Sequence, residues 1–184
     1  MNLENTKSFV IEYNGISQDI KTSCGIDVPI SQPIKTNQSE LKGLRGLWDT
    51  GATATVISKE VANQLGLMPS NYATVHHANG QSSVPVYYVS VFLPCGVVFP
   101  CVRVTEGILS GCDVLIGMDI ISRGDFAITA SKGKTKFSFQ LPSTHDIDFV
   151  KEYNTRLSTK DKVPGRNDSC LCGSDKKYKH CCME

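Results

Sequence analysis

One acidic residue in this sequence stands where a carboxylate could act on a substrate. Residues 46–58 read GLWDTGATATVIS, so apolar residues lead into Asp49 and a glycine turn with small residues follows it. A strand through the apolar residues would carry the acid from the core to the mouth of the turn. Thr50 places a hydroxyl beside it, and the small residues Ala52 and Thr53 leave room for close backbone approach. The pattern indicates a carboxylate positioned for proton transfer, although an Asp that only caps a turn has the same tripeptide.

A second group of reactive side chains lies near the C-terminal end. Four cysteines fall within thirteen residues, in the pattern Cys-x-Cys-x8-Cys-Cys: Cys170, Cys172, Cys181 and Cys182. Thiolates at this density suit tetrahedral Zn²⁺. Residues 166–184 are too few to bury a core, so metal binding would supply their folding free energy. Because four thiolates leave no open coordination position, a structural zinc is predicted. A reduced or disulfide-bonded tail is the alternative.

Composition limits the classes of function. The chain has 184 residues, 40% of them hydrophobic, and a net charge of +1, which suits one domain with an appendage. Near-neutral charge gives no indication of a DNA partner or an anionic membrane. The first twelve residues lack the apolar region of a signal peptide, and no run reaches the ~20 apolar residues of a membrane span. We therefore expect a cytoplasmic protein, with Cys24, Cys95, Cys101 and Cys112 as small buried hydrophobic residues.

The elements that must position Asp49 are predicted to be mainly β. Apolar and β-branched runs recur between turn signals at 8–13, 26–30, 44–48, 84–93, 97–104, 114–116, 126–129 and 135–141. Asn79-Gly80 predicts one hairpin turn and residues 131–134 predict another. A helix is predicted after Ser58, its N-cap, and a shorter one over 118–121.

The character of the chain changes after Pro142. Residues 143–165 are polar and charged, which predicts a linker with a short helix near 149–157. The sequence therefore predicts three parts: a β domain at 1–142, the linker at 143–165 and the cysteine module at 166–184.

Three segments of the β domain resemble one family. LWDTGATATVIS is similar to the active-site segment of retropepsin-like aspartic proteases, and DVLIGMDII at 113–121 is similar to that family's hydrophobic-hydrophobic-glycine segment. Residues 77–81, between them, are placed like the flap hairpin. The resemblance extends over about residues 8–142. It implies a single-lobed acid-protease fold, a closed β-barrel or sandwich.

The resemblance implies an aspartic endopeptidase that acts as a homodimer on a peptide or protein substrate. Such enzymes use two adjacent carboxylates that share one proton, because like charges so close cannot both ionise. The ionised acid activates water, and the protonated acid donates to the scissile carbonyl. The chain has one Asp-Thr-Gly, so a second copy would supply the other Asp49 across a two-fold axis. No cofactor is expected for catalysis.

Further roles are implied residue by residue. Thr50 would bond across the dimer, and Gly51 would let backbone approach the two carboxylates. Substrate and flap contacts would come from Ala52, Asn79 and Gly80. Support of the site from behind would come from Leu115, Ile116 and Gly117.

The cysteine module resembles the SEC-C zinc-binding motif, which is known from the C-terminus of the SecA translocation ATPase and from many bacterial proteins. The resemblance implies a bacterial protein whose zinc-stabilised tail binds another protein or a ribosomal surface. Leu171, Asp175 and Cys182 depart from the commonest form of the motif, and His180 remains an alternative fourth ligand. The alternative function for the whole chain is a catalytically silent retropepsin-fold adaptor that acts through its zinc module.

Overall fold

A computed structural model describes residues 6–29, 41–77, 80–160, 164–170 and 172–183. The chain divides into two compact units, residues 1–144 and residues 145–184. Among the described residues, no helix combines the length and the apolar character needed to cross a membrane.

The first unit is mainly β, as predicted. Its described strands are β1 (Lys7–Glu12), β2 (Lys21–Asp27), β3 (Leu41–Trp48), β4 (Val56–Ser58), β5 (Asn71–His77), β6 (Gly80–Leu93), β7 (Val97–Gly107), β8 (Val114–Ile116), β9 (Asp125–Thr129) and β10 (Lys136–Leu141). Two short helices interrupt them, α1 (Lys59–Gln64) and α2 (Met118–Ile121). The Ser58 hydroxyl accepts a hydrogen bond from the Val61 amide at 3.3 Å, so the predicted N-cap of α1 is confirmed.

Seven strands form the larger sheet, and six of them close into a ring. Their order is β2-β3-β8-β4-β7-β6-β5, and an additional pairing of β2 with β6 closes the ring and leaves β5 outside it. The predicted closed β architecture is therefore confirmed. β3 runs parallel to β8, and β4 runs parallel to β7, whereas β4 and β8 are antiparallel. This places β8 between β3 and β4, the two strands that flank the Asp49 segment.

The other three strands form a small sheet with the order β1-β10-β9. In its register Phe9 lies opposite Phe139, which lies opposite Phe126 on β9. Phe9, Phe137 and Phe139 are buried and pack around the Trp48 ring, whose centroid is 4.8 Å from that of Phe137. This aromatic cluster anchors the end of β3 immediately before Asp49.

Trp48 explains why β2 begins earlier than predicted. Its indole Nε1 donates to the Thr22 hydroxyl at 2.9 Å, and both side chains are buried. Thr22 can meet the indole only from a strand beside β3, and β2 supplies it by pairing Thr22 with Gly46. Sequence reasoning started this strand at residue 26 because Lys21, Thr22 and Ser23 read as polar.

One expectation about the cysteines is wrong. Cys24 and Cys112 are buried, but Cys95 and Cys101 are exposed. Both exposed cysteines have a positive φ, 59° for Cys95 and 61° for Cys101, at a turn and at an irregularity of the β6–β7 pair. Their apolar neighbours indicate burial, but these local backbone turns direct them out of the core.

The second unit contains little regular structure. A helix, α3 (Phe149–Lys160), is followed by a short 3₁₀ turn at Tyr178–His180 and an isolated bridge between Ser169 and Lys177. Of the four cysteines in this unit, Cys170 is the buried one. The part of the unit that the structure describes has no apolar core comparable to that of the first unit.

Candidate functional site

Asp49 lies where β3 ends. Its amide donates to the Ile116 carbonyl of β8 at 3.0 Å, which continues the β3–β8 pairing by one residue. The Gly51 amide donates to the carboxylate oxygen Oδ1 at 2.8 Å, and the Ala52 amide donates to the Asp49 carbonyl at 3.2 Å. The Asp49 side chain is half-buried, whereas Thr50 is exposed. The turn therefore fixes one carboxylate in a defined orientation at the surface of the core.

Gly117 makes the site geometrically possible. β3 and β4 flank β8 on opposite sides, so residues 49–55, which join them, must cross the end of β8. A Cβ on Gly117 would lie 2.6 Å from the Ala54 carbonyl carbon and 3.0 Å from the Ala52 oxygen. Such contacts are too short, so only glycine lets the loop at residues 49–55 rest on β8. The sequence-predicted supporting residues Leu115, Ile116 and Gly117 thus lie directly behind this loop.

The same crossing is held by hydrogen bonds from the start of α2. The Met118 amide donates to the Ala52 carbonyl at 2.8 Å, and the Asp119 amide donates to the Thr53 carbonyl at 3.2 Å. Each satisfies a backbone group that a loop over a strand end would otherwise leave unpaired. The loop is therefore fixed along its length, not only at Asp49.

A buried hydroxyl joins the loop to α2. The Thr55 Oγ1 accepts from the Gly117 amide at 3.2 Å and donates to the Asp119 carboxylate at 2.8 Å. Thr55 is fully buried. Sequence reasoning did not single out this pair, although both members lie in the segments that resemble the family. Their bond joins residues 64 positions apart and depends on the strand pairing.

A cleft of about 360 Å³ opens beside Asp49 and Thr50. Its walls include the exposed strand β9, through Phe126 and Ile128, and the residues before β2. A second acid, Asp19, also lines the cleft, but Lys21 engages its carboxylate at 3.1 Å. Among the described residues, no cationic side chain pairs with Asp49, so it is the acid of this cleft that is open to a substrate.

The hairpin of β5 and β6 corresponds to the expected flap. The two strands pair antiparallel up to His77 opposite Gly80, and Gly80 is exposed with a φ of 118°. That backbone conformation favours glycine. Asn79, the other flap residue predicted from the sequence, lies outside the described residues.

The four cysteines of the second unit come together. Their sulfur atoms all lie within 4.8 Å of one another, with 3.3 Å between Cys172 and Cys181 and 3.8 Å between Cys181 and Cys182. Sulfurs bound to one tetrahedral Zn²⁺ at ≈ 2.3 Å are about 3.8 Å apart. The cluster therefore fits a metal such as zinc with little movement.

Neighbouring groups shift the pKa values of these thiols in opposite directions. The Ser174 hydroxyl, followed by Cys181 and Cys170, lowers the pKa of Cys172 to about 6. Hydrogen bonding to Cys170 and then to Cys172 raises the pKa of Cys182 to about 12. Crowded thiols cannot all ionise alone, and a divalent cation removes that obstacle when it binds.

Known families match parts of both the first unit and the cysteine module. Residues 37–123 match the family model described as gag-polyprotein putative aspartyl protease, and residues 166–184 match the SEC-C motif. The chain carries a retropepsin-like aspartic protease domain with a C-terminal SEC-C motif.

Curated relatives match only parts of the chain. It is 32% identical over 83 residues to UPF0225 protein Shewana3_2159 of Shewanella sp. (strain ANA-3), over 38% of this chain and 51% of that protein. It is 77% identical over 22 residues to the protein translocase subunit SecA of Chlorobium phaeobacteroides (strain BS1), over 12% of this chain and 2% of SecA. The chain therefore spans about half the length of the first of these relatives and a small fraction of the second.

Two experimental structures are similar to the chain. A retropepsin-like aspartic protease from Rickettsia conorii matches with 18% identity and a TM-score of 0.47, over 74% of this chain and 95% of that one. The EIAV protease in complex with the inhibitor HBY-793 matches with 18% identity and a TM-score of 0.42, over 60% of this chain and 90% of that one.

Proposed function

We propose that this protein is an aspartic endopeptidase that acts as a homodimer, with Asp49 of each chain forming the catalytic pair. The observation that supports this proposal most directly is the position of the Asp49 carboxylate. It is fixed and half-exposed at the end of β3, and its loop packs against Gly117, where no side chain would fit. One such acid is half of an aspartic-protease site. A two-fold axis through the cleft would supply the other half.

In this dimer the two Asp49 carboxylates share one proton and act as a unit. The ionised member takes a proton from water, which attacks the scissile carbonyl, while the protonated member donates to the carbonyl oxygen. The Gly51 amide, which already donates to Oδ1, orients the carboxylate for this exchange. The β5–β6 hairpin, with Gly80 at its end, would close over an extended substrate and pair with it as a strand.

The second unit would hold a structural Zn²⁺ through Cys170, Cys172, Cys181 and Cys182. The metal supplies folding free energy to a segment with little core, and it takes no part in hydrolysis. We propose that the folded module recruits a protein partner or a ribosomal surface, in keeping with the SecA proteins that share this region. The proposed location is the cytoplasm.

The test is cleavage of a diverse peptide library by the zinc-loaded full chain, from acid to neutral pH, read by mass spectrometry. Asp49→Asn in both subunits removes the acid–base pair, so the cleavage rate should fall by about 10²–10⁴-fold or more. Asp146→Asn is the matched control, because Asp146 is an exposed acid outside the first unit. It should cleave like the wild type.

Equal cleavage by the wild type and by Asp49→Asn would refute the aspartic mechanism. Absence of cleavage at a concentration where the protein is demonstrably dimeric would also refute it. The adaptor hypothesis, in which the zinc module carries the function, would then take its place.

A further inference from the structure

Strand β7 is paired along most of its length on one side and only at its end on the other. β6 pairs with it from Val97 to Thr105, whereas β4 pairs with it at residues 105–107. In the part of the chain that the structure describes, residues 97–104 have no strand partner on the β4 side. An unpaired strand edge of this kind is a template for another strand.

The backbone of Arg103 points toward this open edge. The Thr105 amide donates to the Thr55 carbonyl at 3.3 Å, and Val86, its partner on β6, directs its own carbonyl to the Ser70 amide at 2.8 Å. Thr105 and Val86 therefore point their backbone groups away from each other. Because residue pairs of an antiparallel ladder alternate in type, Arg103, two residues earlier, also points its amide away from β6. No described residue accepts a hydrogen bond from that amide.

A cleft of about 420 Å³ lies along the open edge. One wall is β7 at residues 99–103, and the other wall includes Ala54 and the segment from α2 to Arg123. Arg103 and Arg123 both line the cleft and are exposed. Among the described residues, neither guanidinium forms an ion pair. The cleft therefore combines an open strand edge with two guanidinium groups that can accept an anion.

Asp119 also lines the cleft, but its carboxylate is already engaged. Its Oδ1 accepts from the Thr55 hydroxyl at 2.8 Å and from the Ile120 amide at 3.1 Å. The cleft thus presents two cations against one hydrogen-bonded carboxylate, which favours a ligand that carries negative charge.

We propose that this cleft binds an acidic peptide in an extended conformation, which adds to β7 as a strand and places carboxylates against Arg103 and Arg123. The strand edge recognises the peptide backbone, and the guanidinium groups select acidic side chains. Proline and charged side chains on an edge exclude apolar strands, and Pro100 and Arg103 have this effect here. The same positive charges attract an acidic strand, so they provide specificity as well as protection.

The proposed site is separate from the cleft at Asp49. No described residue lines both clefts. The inference therefore goes beyond the proposed function and does not depend on it, since peptide binding can be measured without cleavage.

The first test measures fluorescence anisotropy of labelled peptides on the zinc-loaded full chain, with mass spectrometry to show that the peptides stay intact. Acetyl-Glu-Val-Glu-Val-Glu-amide is compared with the same peptide in which glutamine replaces each glutamate. The glutamate peptide should bind at least about 10-fold more tightly, because hydrogen bonds between charged groups are the stronger ones. The difference should shrink as salt is raised, since the guanidinium groups are exposed.

Matched variants assign the charge to the cleft. Arg103→Gln and Arg123→Gln should each weaken binding of the glutamate peptide by at least about 10-fold. Arg45→Gln is the control, because Arg45 is an exposed arginine of β3 that does not line the cleft. It removes the same charge and should bind like the wild type. Thermal unfolding of the three variants should be similar, since all three side chains are exposed.

A second measurement uses the wild type alone and tests the strand pairing. At a peptide concentration of about ten times Kd, hydrogen exchange of the Arg103 amide should slow by about 10-fold, because the peptide supplies the acceptor that this amide lacks. The glutamine peptide at the same concentration should have little effect on this amide.

Equal affinity for the two peptides would overturn the proposal, and so would equal affinity of the Arg103→Gln, Arg123→Gln and Arg45→Gln variants for the glutamate peptide. Unchanged exchange of the Arg103 amide at saturating peptide would overturn the strand pairing with β7. Binding with these properties in a protein that cleaves nothing would uphold this site while the proposed function failed. Cleavage without such binding would have the opposite meaning.

Discussion

The two units of this chain bring their functional side chains together by different means. In residues 1–144, Asp49 is positioned by a closed sheet whose aromatic cluster holds the end of β3. In residues 145–184, four thiols meet within 4.8 Å although the unit has little regular structure. The first site follows from packing, whereas the second is a cluster of thiols that is compatible with a metal such as zinc.

Because of this difference, the two sites depend on different conditions for their stability. A packed sheet stabilises the Asp49 loop whether or not a metal is present. The cysteine unit has no equivalent core in its described part, so on the proposed zinc binding we expect its four thiols to stay together in solution only when a cation offsets their charges. Recruitment through the tail and cleavage by the domain should therefore respond to different variables, zinc in one case and dimerisation in the other.

The largest expected effect comes from metal removal. Chelation of zinc from the full chain should unfold residues 164–183 completely and leave the first unit intact, because binding of the metal supplies the folding free energy of the tail. Hydrogen exchange measures this directly. The Cys170 amide, bonded to the Lys176 carbonyl at 2.8 Å, and the Tyr178 amide, bonded to the Asp168 carbonyl at 2.8 Å, should lose protection, while β-strand amides keep theirs.

A matched pair of variants tests the ligand assignment in the same experiment. Cys172→Ser removes an exposed cysteine of the cluster, and Cys101→Ser removes an exposed cysteine of the first unit. Only Cys172→Ser should lower the bound zinc below one per chain. Protected tail amides after complete chelation would show that the tail folds by packing, and the contrast between the units would disappear.

The next effect concerns packing in the first unit. Gly117→Ala should lower the free energy of unfolding of this unit by about 3 kcal/mol. The new methyl would lie 2.6 Å from the Ala54 carbonyl carbon, and this backbone atom cannot move away as the end of a flexible side chain could. Zinc content should stay unchanged. Denaturant unfolding of the chelated protein isolates this unit for the measurement.

Gly15→Ala is the control for this substitution. Nothing lies within 4 Å of a Cβ built on Gly15, so its effect should stay within about 0.5 kcal/mol. Equal destabilisation by Gly117→Ala and Gly15→Ala would mean that the loop at residues 49–55 does not need a glycine at position 117 in order to cross β8.

Local patterns in the sequence were sufficient to predict most of the first unit. Alternating and β-branched runs predicted β1, β3, β6, β7, β8, β9 and β10, and the apolar lead into Asp49 predicted a strand that ends there. The Ser58 cap and the short helix at Met118–Ile121 also follow from adjacent residues. Each of these features depends on residues that are close together in the sequence, so it can be predicted from one sequence alone.

Features that depend on strand order were not predictable in this way. β4 has three residues, which are too few to show the alternation of apolar and polar residues that marks a strand. The sequence marks Phe126 and Ile128 as strand residues, but only the order β1-β10-β9 places them at an edge. Likewise the cluster of Cys170, Cys172, Cys181 and Cys182 was predictable because the ligands are close in sequence, whereas the Thr55–Asp119 bond spans 64 positions.

The smallest expected effect tests that long-range bond. Thr55→Val keeps the shape of the side chain but leaves the Gly117 amide without its acceptor and removes one of the two hydrogen bonds that the Asp119 Oδ1 accepts, at a cost of about 1–2 kcal/mol in the free energy of unfolding. Thr55→Ser retains the hydroxyl and should preserve most of the stability. Cleavage should fall in the valine variant beyond what its folded fraction explains, because the Asp49 loop loses its tie to α2. A valine variant as stable as the wild type would show that packing of the side chain, and not its hydroxyl, holds this loop.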